Sequence, residues 1–255
     1  MSYRRTEAVV ARLADNRSRI LDAARQLVAE GGWADTQVAS VAAAAGLATG
    51  SVYRYFASKA ELFAEVLANV SQREVDVLAE IVASATCPRE DLHSAVRSFV
   101  KRAMRKRRLA YALIAEPCEH EIDAARLVYR HAISQQILTL VQAGQRTGLF
   151  RVGVRAEVAA TVIVGGFMEA LVGPLSPLTP EYGSKLERDP APVQQLADEI
   201  ADLCCACVEI DARGTHKYVT PLKPPPSRSR NASHPAPPSQ IRTCGTTAYG
   251  SCLGS

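Results

Sequence analysis

The sequence predicts an all-α chain with an N-terminal helix-turn-helix head and a larger helical body. Two short helical patterns lie between Thr36 and Phe56, with Gly46 at the turn between them. Apolar residues recur at helical spacing in successive segments as far as residue 210, beyond which proline and serine become frequent. The predicted segments are a mobile arm (1–15), the head (16–57), the helical body (58–210) and a disordered basic tail (211–255).

The centre of the head is predicted to be two helices joined by a tight turn. Gly46 follows the last periodic residue of the first helix, where a left-handed conformation is favoured and a Cβ would be strained. Thr36 and Thr49 are predicted to cap the two helices with their hydroxyls. The predicted buried faces are Val38, Val41, Ala42 and Ala45 on the first helix and Val52 and Phe56 on the second.

The flanking segments complete the head. A helix is predicted from about Asn16 to Glu30, ended by a pair of glycines, and Trp33 is expected in the core beneath it. Ser58 and Glu61 form a predicted capping box, in which each side chain accepts a hydrogen bond from the other's free backbone N–H.

These segments together resemble the N-terminal DNA-binding domain of the TetR/AcrR family of bacterial transcriptional regulators. The resemblance covers about residues 17–67. Its most specific parts are the Gly46-Leu47 turn, the run from Tyr53 to Phe56 and the Ser58-Lys59-x-Glu61-Leu62 helix start. One departure is Ala48, where the family often has serine, so a phosphate-directed hydroxyl is missing there. The resemblance implies a second short helix that enters a DNA major groove.

The outward residues of this region are the predicted DNA contacts. Groove contacts are expected from the second helix, with Thr36, Tyr55 and Lys59 near phosphates. Residues 1–60 carry 8 Lys and Arg against 5 Asp and Glu, whereas residues 61–210 carry 16 against 20, a distribution that fits DNA binding by the head. The arginines of the arm either contact DNA or remain solvated, and the solvated interpretation is favoured. The predicted DNA-contacting residues are Thr36, Gln37, Thr49, Gly50, Ser51, Tyr53, Arg54, Tyr55 and Lys59.

Six further helices are predicted in the body, with breaks at Pro88, Pro117 and Gly148, among others. Six basic residues between positions 101 and 108 either bind nucleic acid or form a solvated helix end. Their distance from the second short helix favours the solvated interpretation. The predicted helices span about 58–85, 89–106, 109–115, 122–147, 155–172 and 192–210.

The resemblance also implies a homodimer and an internal pocket for a small effector. Segments 155–172 and 192–210 of each subunit would form a four-helix bundle, with Leu196 and Ile200 at the interface. Ligand binding would favour a different separation of the heads and so weaken DNA binding. The candidate pocket residues are Phe99, Met104, Tyr111, Tyr129, Phe167 and Met168, although ordinary core packing explains each equally well.

Several other classes of protein are not indicated. No stretch approaches the ~20 apolar residues of a membrane span, and residues 1–15 lack the apolar run of a secretory signal, so a cytoplasmic protein without membrane contact is expected. The 7 cysteines are irregularly spaced, which favours reduced packing residues over a disulfide framework or a metal site. We find no phosphate loop and no dinucleotide fingerprint, so no cofactor or metal is predicted.

The function predicted from the sequence is a repressor released from a palindromic operator by a small apolar or amphipathic ligand. The alternatives are a transcriptional activator and a DNA-binding protein without a ligand. An enzyme is the rival from another class, but no spacing of nucleophile and base supports it. Its acid–base groups would come from Glu116, Glu119, His120, Glu121 and Arg126.

Overall fold

The computed structural model describes residues 7–178 and 191–210, and these fold almost entirely into helices. Within them the only β pairing is an isolated antiparallel bridge between Phe150 and Glu209, so the predicted all-α fold class is confirmed. Residues 1–6, 179–190 and the predicted tail, 211–255, lie outside the described residues. The helices are α1 (Glu7–Asp35), α2 (Val38–Ala44), α3 (Thr49–Val52), α4 (Lys59–Ala83), α5 (Pro88–Arg105), α6 (Arg107–Ile114), α7 (His120–Arg146), α8 (Ala156–Leu175) and α9 (Ala191–Ala206).

Helix α1 begins earlier than predicted. Residues 7–15, predicted as part of a mobile arm, are its first turns. They contain no glycine or proline, so nothing in the sequence stops the helix before Asn16. At the other end, the backbone leaves helical geometry at Gly32, where φ is +83°, as predicted for the glycine pair.

The turn between α2 and α3 has the predicted left-handed glycine. Gly46 has a φ of +67°. Its N–H donates to the carbonyl of Ala43 at 3.0 Å, and the Leu47 N–H donates to that of Ala42 at 2.9 Å, the hydrogen-bond pattern of a Schellman motif. The Arg19 guanidinium donates to the next free carbonyl, that of Ala45, at 2.5 Å. The end of α2 is therefore satisfied both locally and by α1.

The predicted threonine caps are wrong. Thr36 is only 3% exposed, and its hydroxyl donates to the carbonyl of Gly32 at 2.7 Å, the residue at which the backbone leaves helical geometry. The N-cap of α2 is Gln37, with no side-chain capping bond. The N-cap of α3 is Ala48, and Thr49 is its first helical residue.

Buried apolar side chains form two clusters. The head core joins α1–α3 to the first half of α4 through residues such as Trp33 and Phe63, and it also takes in Leu109 of α6. The body core joins the second half of α4 to α5, α7, α8 and α9, with Leu78 and Phe167 among its members. The head core thus continues past residue 57, and α4 belongs to both clusters, as expected of a helix that links head and body.

Helix α6 is fastened to the end of α1 by hydrogen bonds. The Trp33 indole N–H donates to the Ala112 carbonyl at 2.7 Å, and the ring packs on Phe63 with centroids 5.3 Å apart. Arg108 donates to the Gly31 carbonyl at 2.6 Å and forms a two-pronged pair with the buried Glu116 at 2.8 and 2.9 Å. Trp33 is therefore a core residue, as predicted, and it also anchors α6.

The basic segment at 101–108 is not simply a solvated helix end, which corrects the favoured interpretation. Arg102 pairs with Glu74 of α4 at 2.8 Å. Arg107 donates to the Pro174 carbonyl of α8 at 2.8 and 3.1 Å. Together with Arg108, these arginines brace the junction of α5 and α6 against three other helices. The partners of these arginines are distant in the chain, so the linear sequence does not reveal them.

The hydropathy of α8 differs from what the sequence predicted. It is long and apolar enough to cross a membrane by length and composition, with a mean hydropathy of 1.8, although the sequence analysis expected no such stretch. One face packs into the body core through Ile163, Phe167 and Leu171. A core helix passes the same test as a membrane span, and burial of this face accounts for much of the apolar character of α8.

We expect Gly144→Ala to destabilise the fold. Gly144 of α7 is buried under the Phe150 ring, and an added Cβ would lie 2.0 Å from ring atom Cδ2. Because Phe150 is 1% exposed and has little room to move, the free energy of unfolding should fall by about 1–3 kcal/mol. Urea unfolding measures this. Gly50→Ala is the control, since no atom lies within 4 Å of its Cβ position. Equal stability of the two variants would contradict this packing.

Candidate functional site

The short helix α3 presents a mostly exposed surface around one buried residue, Val52. We call Thr49, Gly50, Ser51, Tyr53 and Arg54 the α3 surface. Four of them are exposed and Ser51 is half-buried. Val52 and Phe56 are each 1% exposed, so they anchor α3 in the head core as predicted. The bare Cα of Gly50, with no atom within 4 Å of its Cβ position, lets a large surface approach the backbone closely.

The charge around the α3 surface has one sign. No acidic residue occurs between Asp35 and Glu61, whereas Arg54 and Lys59 lie within that segment. Arg54 is exposed and makes no ion pair within the part of the chain that the structure describes. An exposed cation without acidic neighbours attracts a polyanion such as the DNA backbone.

The other predicted DNA contacts have different surroundings. Gln37 is exposed at the start of α2. The Tyr55 hydroxyl accepts a hydrogen bond from Asn16 at 3.1 Å, which leaves its own O–H as a donor. Thr36 is buried and already donates to Gly32, so its hydroxyl is not placed for a phosphate.

The start of α4 adds a cation to this region. Ser58 caps the helix by accepting from the Glu61 N–H at 3.0 Å. The Glu61 carboxylate accepts from Ala57 at 2.6 Å, one residue before the predicted partner in the capping box. The Lys59 ammonium lies 5.2 Å from the centre of the Phe63 ring. This contact restrains the lysine at the helix N-terminus, where free N–H groups favour an anion.

A cavity of about 110 Å³ lies between α4, α5, α6, α7 and α8. Of the predicted pocket residues, Phe99, Tyr129 and Met168 line it. Met104 and Phe167 pack in the body core outside the lining, and the Phe167 ring contacts that of Phe99 in a tilted arrangement with centroids 4.9 Å apart. Tyr111 lies outside the lining, 5.8 Å below the Arg108 guanidinium. Half of the predicted set therefore meets at one cavity.

Part of the cavity lining is charged, which the apolar pattern of the sequence did not predict. Arg102, Lys106, Arg126 and Arg130 line it together with a single carboxylate, Glu74. A usable signal was present in α7, where Arg126, Tyr129, Arg130 and Ile133 follow the i, i+3, i+4, i+7 spacing of one helical face. The pattern of apolar residues alone predicts a different inward face for α7, because that pattern gives no weight to arginine.

Helix α6 separates the cavity from the head. Its residues Leu109, Ala110, Leu113 and Ile114 line the cavity. Leu109 also belongs to the head core, and the Ala112 carbonyl accepts from both Trp33 at 2.7 Å and Arg126 at 3.2 Å. A displacement of α6 by a bound molecule would therefore act directly on the contacts of α1.

Helix α8 leaves an apolar strip exposed, and α9 leaves one large apolar side chain exposed. Val158 and Val162 of α8 are 41% and 57% exposed, and Leu203 of α9 is 69% exposed. Gly165 and Gly166, also on the outer side of α8, have no atom within 4 Å of their Cβ positions. Ile200, predicted at a subunit interface, is 6% exposed and belongs to the body core. Leu196 is partly buried against that core, so Leu203 is the large apolar side chain of α9 that the protomer leaves most exposed.

The residues considered for an enzyme do not form one site. Glu116 is held by Arg108, and the Arg126 guanidinium donates to the carbonyls of Leu113 and Glu116 at 2.9 and 2.8 Å. Glu119, His120 and Glu121 are exposed. Among the residues described, no three His, Cys, Asp or Glu side chains are grouped so as to hold a metal ion.

Comparisons with known proteins agree with these features. Residues 20–66 match the profile of bacterial regulatory proteins of the tetR family. The chain is 30% identical over 147 residues to the HTH-type transcriptional repressor KstR2 of Rhodococcus jostii (strain RHA1), which covers 56% of this chain and 72% of that protein.

Two solved structures share the fold at low identity. The fatty acid degradation regulator FadR from Bacillus halodurans has a TM-score of 0.62 and 23% identity, covering 74% of this chain and 94% of that one. FadR from Bacillus subtilis, solved in complex with stearoyl-CoA, has a TM-score of 0.63 and 18% identity, covering 75% and 99%.

We expect the cysteines of α9 to differ sharply in reactivity. Cys204 and Cys205 are buried, and burial raises the pKa of each thiol to about 12. Almost no thiolate, the reactive form, is then present at pH 8, so iodoacetamide should leave both unmodified in the native protein. Cys207, which is exposed, should be alkylated. Peptide mass mapping, with guanidinium-unfolded protein as the control, measures this. Equal labelling of Cys204 and Cys207 would contradict the packing of α9.

Proposed function

The chain belongs to the tetR family of bacterial regulatory proteins, and on this premise we propose that it is a cytoplasmic transcriptional repressor that an effector releases from its operator. The observation that carries the proposal is the exposed α3 surface, which lies in a segment without acidic residues between Asp35 and Glu61. Its family and the relative KstR2 are regulators rather than enzymes. Selection of bound fragments from random double-stranded DNA tests the proposal, which requires a reproducible palindromic sequence.

In the proposed complex, α3 lies in the major groove and the start of α4 meets the phosphate backbone. Thr49, Tyr53 and Arg54 would contact base edges, with Ser51 beside them. Lys59 and the Tyr55 hydroxyl would contact phosphates, which position the helix but carry no sequence information. Thr36 is left out of this set because its hydroxyl is buried against Gly32.

We assign the effector to the cavity behind α6. A ligand there would touch α4 through Val70 and α6 through Leu113, and both helices also contribute to the head core. A ligand that binds better when the heads stand at a second separation shifts the protein toward that state. By linkage, the factor by which the ligand lowers the affinity for DNA equals the factor by which DNA lowers the affinity for the ligand.

The proposed active form is a homodimer joined through the exposed apolar strip of α8 and the exposed Leu203 of α9. One head offers few phosphate contacts, whereas two heads about 34–36 Å apart reach successive major grooves of a palindrome. Glycine in a helix interior costs about 1 kcal/mol relative to alanine, and the protomer gains no packing from the absence of a Cβ at Gly165 and Gly166. Close approach of a partner helix would account for both glycines.

We expect the two cations of the head to act differently on DNA. Lys59→Ala should weaken binding to all sequences about equally and reduce the salt slope of log K by about one, because a phosphate contact releases one counterion. Arg54→Ala should cost about 1–3 kcal/mol on the selected operator and less on random DNA. Fluorescence anisotropy titrations at several salt concentrations separate the two effects.

The matched control for the DNA measurements is Arg73→Ala. Arg73 is an exposed cation on the same helix as Lys59, but in the half of α4 that enters the body. Its removal should leave the affinity and the salt slope nearly unchanged. If Arg73→Ala and Lys59→Ala had the same effect, the start of α4 would not be the phosphate contact.

We expect Leu203→Asp to produce folded monomers. The side chain is 69% exposed in the protomer, so the change costs the isolated fold little, whereas in the dimer it would bury an unpaired carboxylate. Sedimentation equilibrium should show dimers for the unaltered protein and monomers for the variant, with loss of operator binding. Val10→Asp, at a 53% exposed position on α1, should stay dimeric. Dimers of the Leu203 variant would place the interface elsewhere.

A further inference from the structure

We infer that the effector is an amphipathic anion, with an apolar skeleton and a carboxylate or phosphate group that pairs with Arg130 in the cavity. This inference rests on the proposed function only in calling the ligand an effector. The cavity, its charges and its walls are properties of the protomer.

The charge of the cavity lining is the first observation. Four cations line the cavity, namely Arg102, Lys106, Arg126 and Arg130, against the one carboxylate of Glu74. Two of the cations are already engaged. Arg102 pairs with Glu74 at 2.8 Å, and Arg126 pairs with Asp123 at 2.8 Å while capping the carbonyls at the end of α6.

Lys106 and Arg130 have no carboxylate partner among the residues that the structure describes; Lys106 is exposed to solvent, whereas Arg130 is half-buried. The terminal nitrogen of Arg130 donates to the Ile114 carbonyl at 3.2 Å, a long hydrogen bond to a neutral acceptor. Its Nε is buried and has no hydrogen-bond partner in the described part of the chain. Burying part of a guanidinium without an anion is costly. A bound carboxylate or phosphate would supply the missing charge through two parallel N–H···O bonds.

The orientation of α7 is the second observation. Arg126 and Arg130 line the cavity, whereas Leu127 and Val128 between them are 62% and 64% exposed. This arrangement inverts the usual rule that apolar residues of a surface helix face inward. The inward face of this segment thus carries two arginines beside Tyr129 and Ile133, and an anion within the cavity would account for the second of them, Arg130.

The apolar lining of the cavity indicates the chemistry of the rest of the ligand. Phe99, Leu109, Ile133 and Met168 supply apolar lining, and each is at most 6% exposed. Lys106 is exposed and marks the side of the lining nearest to solvent. An apolar skeleton among these side chains, with its anionic group at Arg130, satisfies both halves of the site. Neither a fully polar anion nor a neutral hydrocarbon does so.

A bound anion would also affect the hydrogen bonds at the end of α6, the helix that contacts the head. Arg130 donates to Ile114 at the C-terminal end of α6, next to the carbonyls held by Arg126. An anion that draws Arg130 away frees the Ile114 carbonyl and loosens this end of α6. The only tryptophan, Trp33, is bonded to Ala112 of the same helix, so its fluorescence reports the change.

The test compares three probes whose carbon chains have the same length: octanoate, octanol and octanoyl-CoA. Isothermal titration and Trp33 fluorescence of the full-length protein measure their affinities. We expect at least one anionic probe to bind about tenfold or more tightly than octanol, because a charge-assisted hydrogen bond is about twice as strong as a neutral one. The two anionic probes distinguish a free carboxylate from a phosphate-bearing thioester as the source of the charge.

Variants locate the anionic group. Arg130→Gln should remove the preference for the anion while leaving octanol binding unchanged, and Arg130→Lys should retain part of it. Arg146→Gln is the matched control, since Arg146 is exposed on the same helix and outside the cavity lining. It should behave like the unaltered protein.

The outcomes separate this inference from the proposed function. Octanol binding as tightly as both anions, or a preference that survives Arg130→Gln, would overturn the inference even if the protein binds a selected operator. An anion preference that depends on Arg130 would support the inference even if no operator is found, and in that case the proposed function fails instead.

Discussion

The position of the head depends on one close contact, the approach of the Arg108 guanidinium to the backbone of Gly32. A Cβ on Gly32 would lie 1.6 Å from the Arg108 Nη2 atom, and the positive φ of +83° independently disfavours other residues. Because glycine leaves this space open, Arg108 reaches the Gly31 carbonyl while Glu116 neutralises its charge. The pair is largely buried and two-pronged, so it fixes direction as well as distance. Trp33 adds an indole hydrogen bond to the same helix.

This contact makes α6 the shared wall of the head and the cavity. Eight residues, Arg107–Ile114, form it, yet it supplies Leu109 and Ala112 to the head core and Ala110 and Ile114 to the body core. Such a short helix has little stability of its own, so its position follows its neighbours. Arg126 and Arg130 of α7 hold its last carbonyls. Only α6 therefore lies between the arginines of α7 and the contacts at Gly31 and Trp33.

The sequence predicts well the features that depend on local backbone preferences. Helical periodicity, the left-handed Gly46 and the break at Gly32 were all foreseen, because each follows from the residues within one or two turns. The misassigned residues depend on backbone geometry or tertiary packing that the local pattern does not show. Thr36 was assigned to a cap but satisfies the carbonyl exposed by the kink at Gly32. Ile200 and Leu203 share one apolar pattern, yet only tertiary packing buries the first and exposes the second. The arginines of the cavity were missed because an inward cation contradicts apolar periodicity.

The chain presents cations in two environments, and they respond differently to salt. Arg54 is on the open α3 surface, whereas Arg130 is half-buried between helices with its Nε inaccessible. Exposed charges are screened within a Debye length of about 8 Å at physiological ionic strength, and buried ones much less. DNA affinity should therefore fall steeply as salt rises, while affinity for an anion in the cavity changes little. Under the proposed function, rising ionic strength shifts the balance between the two ligands toward the effector without altering either site.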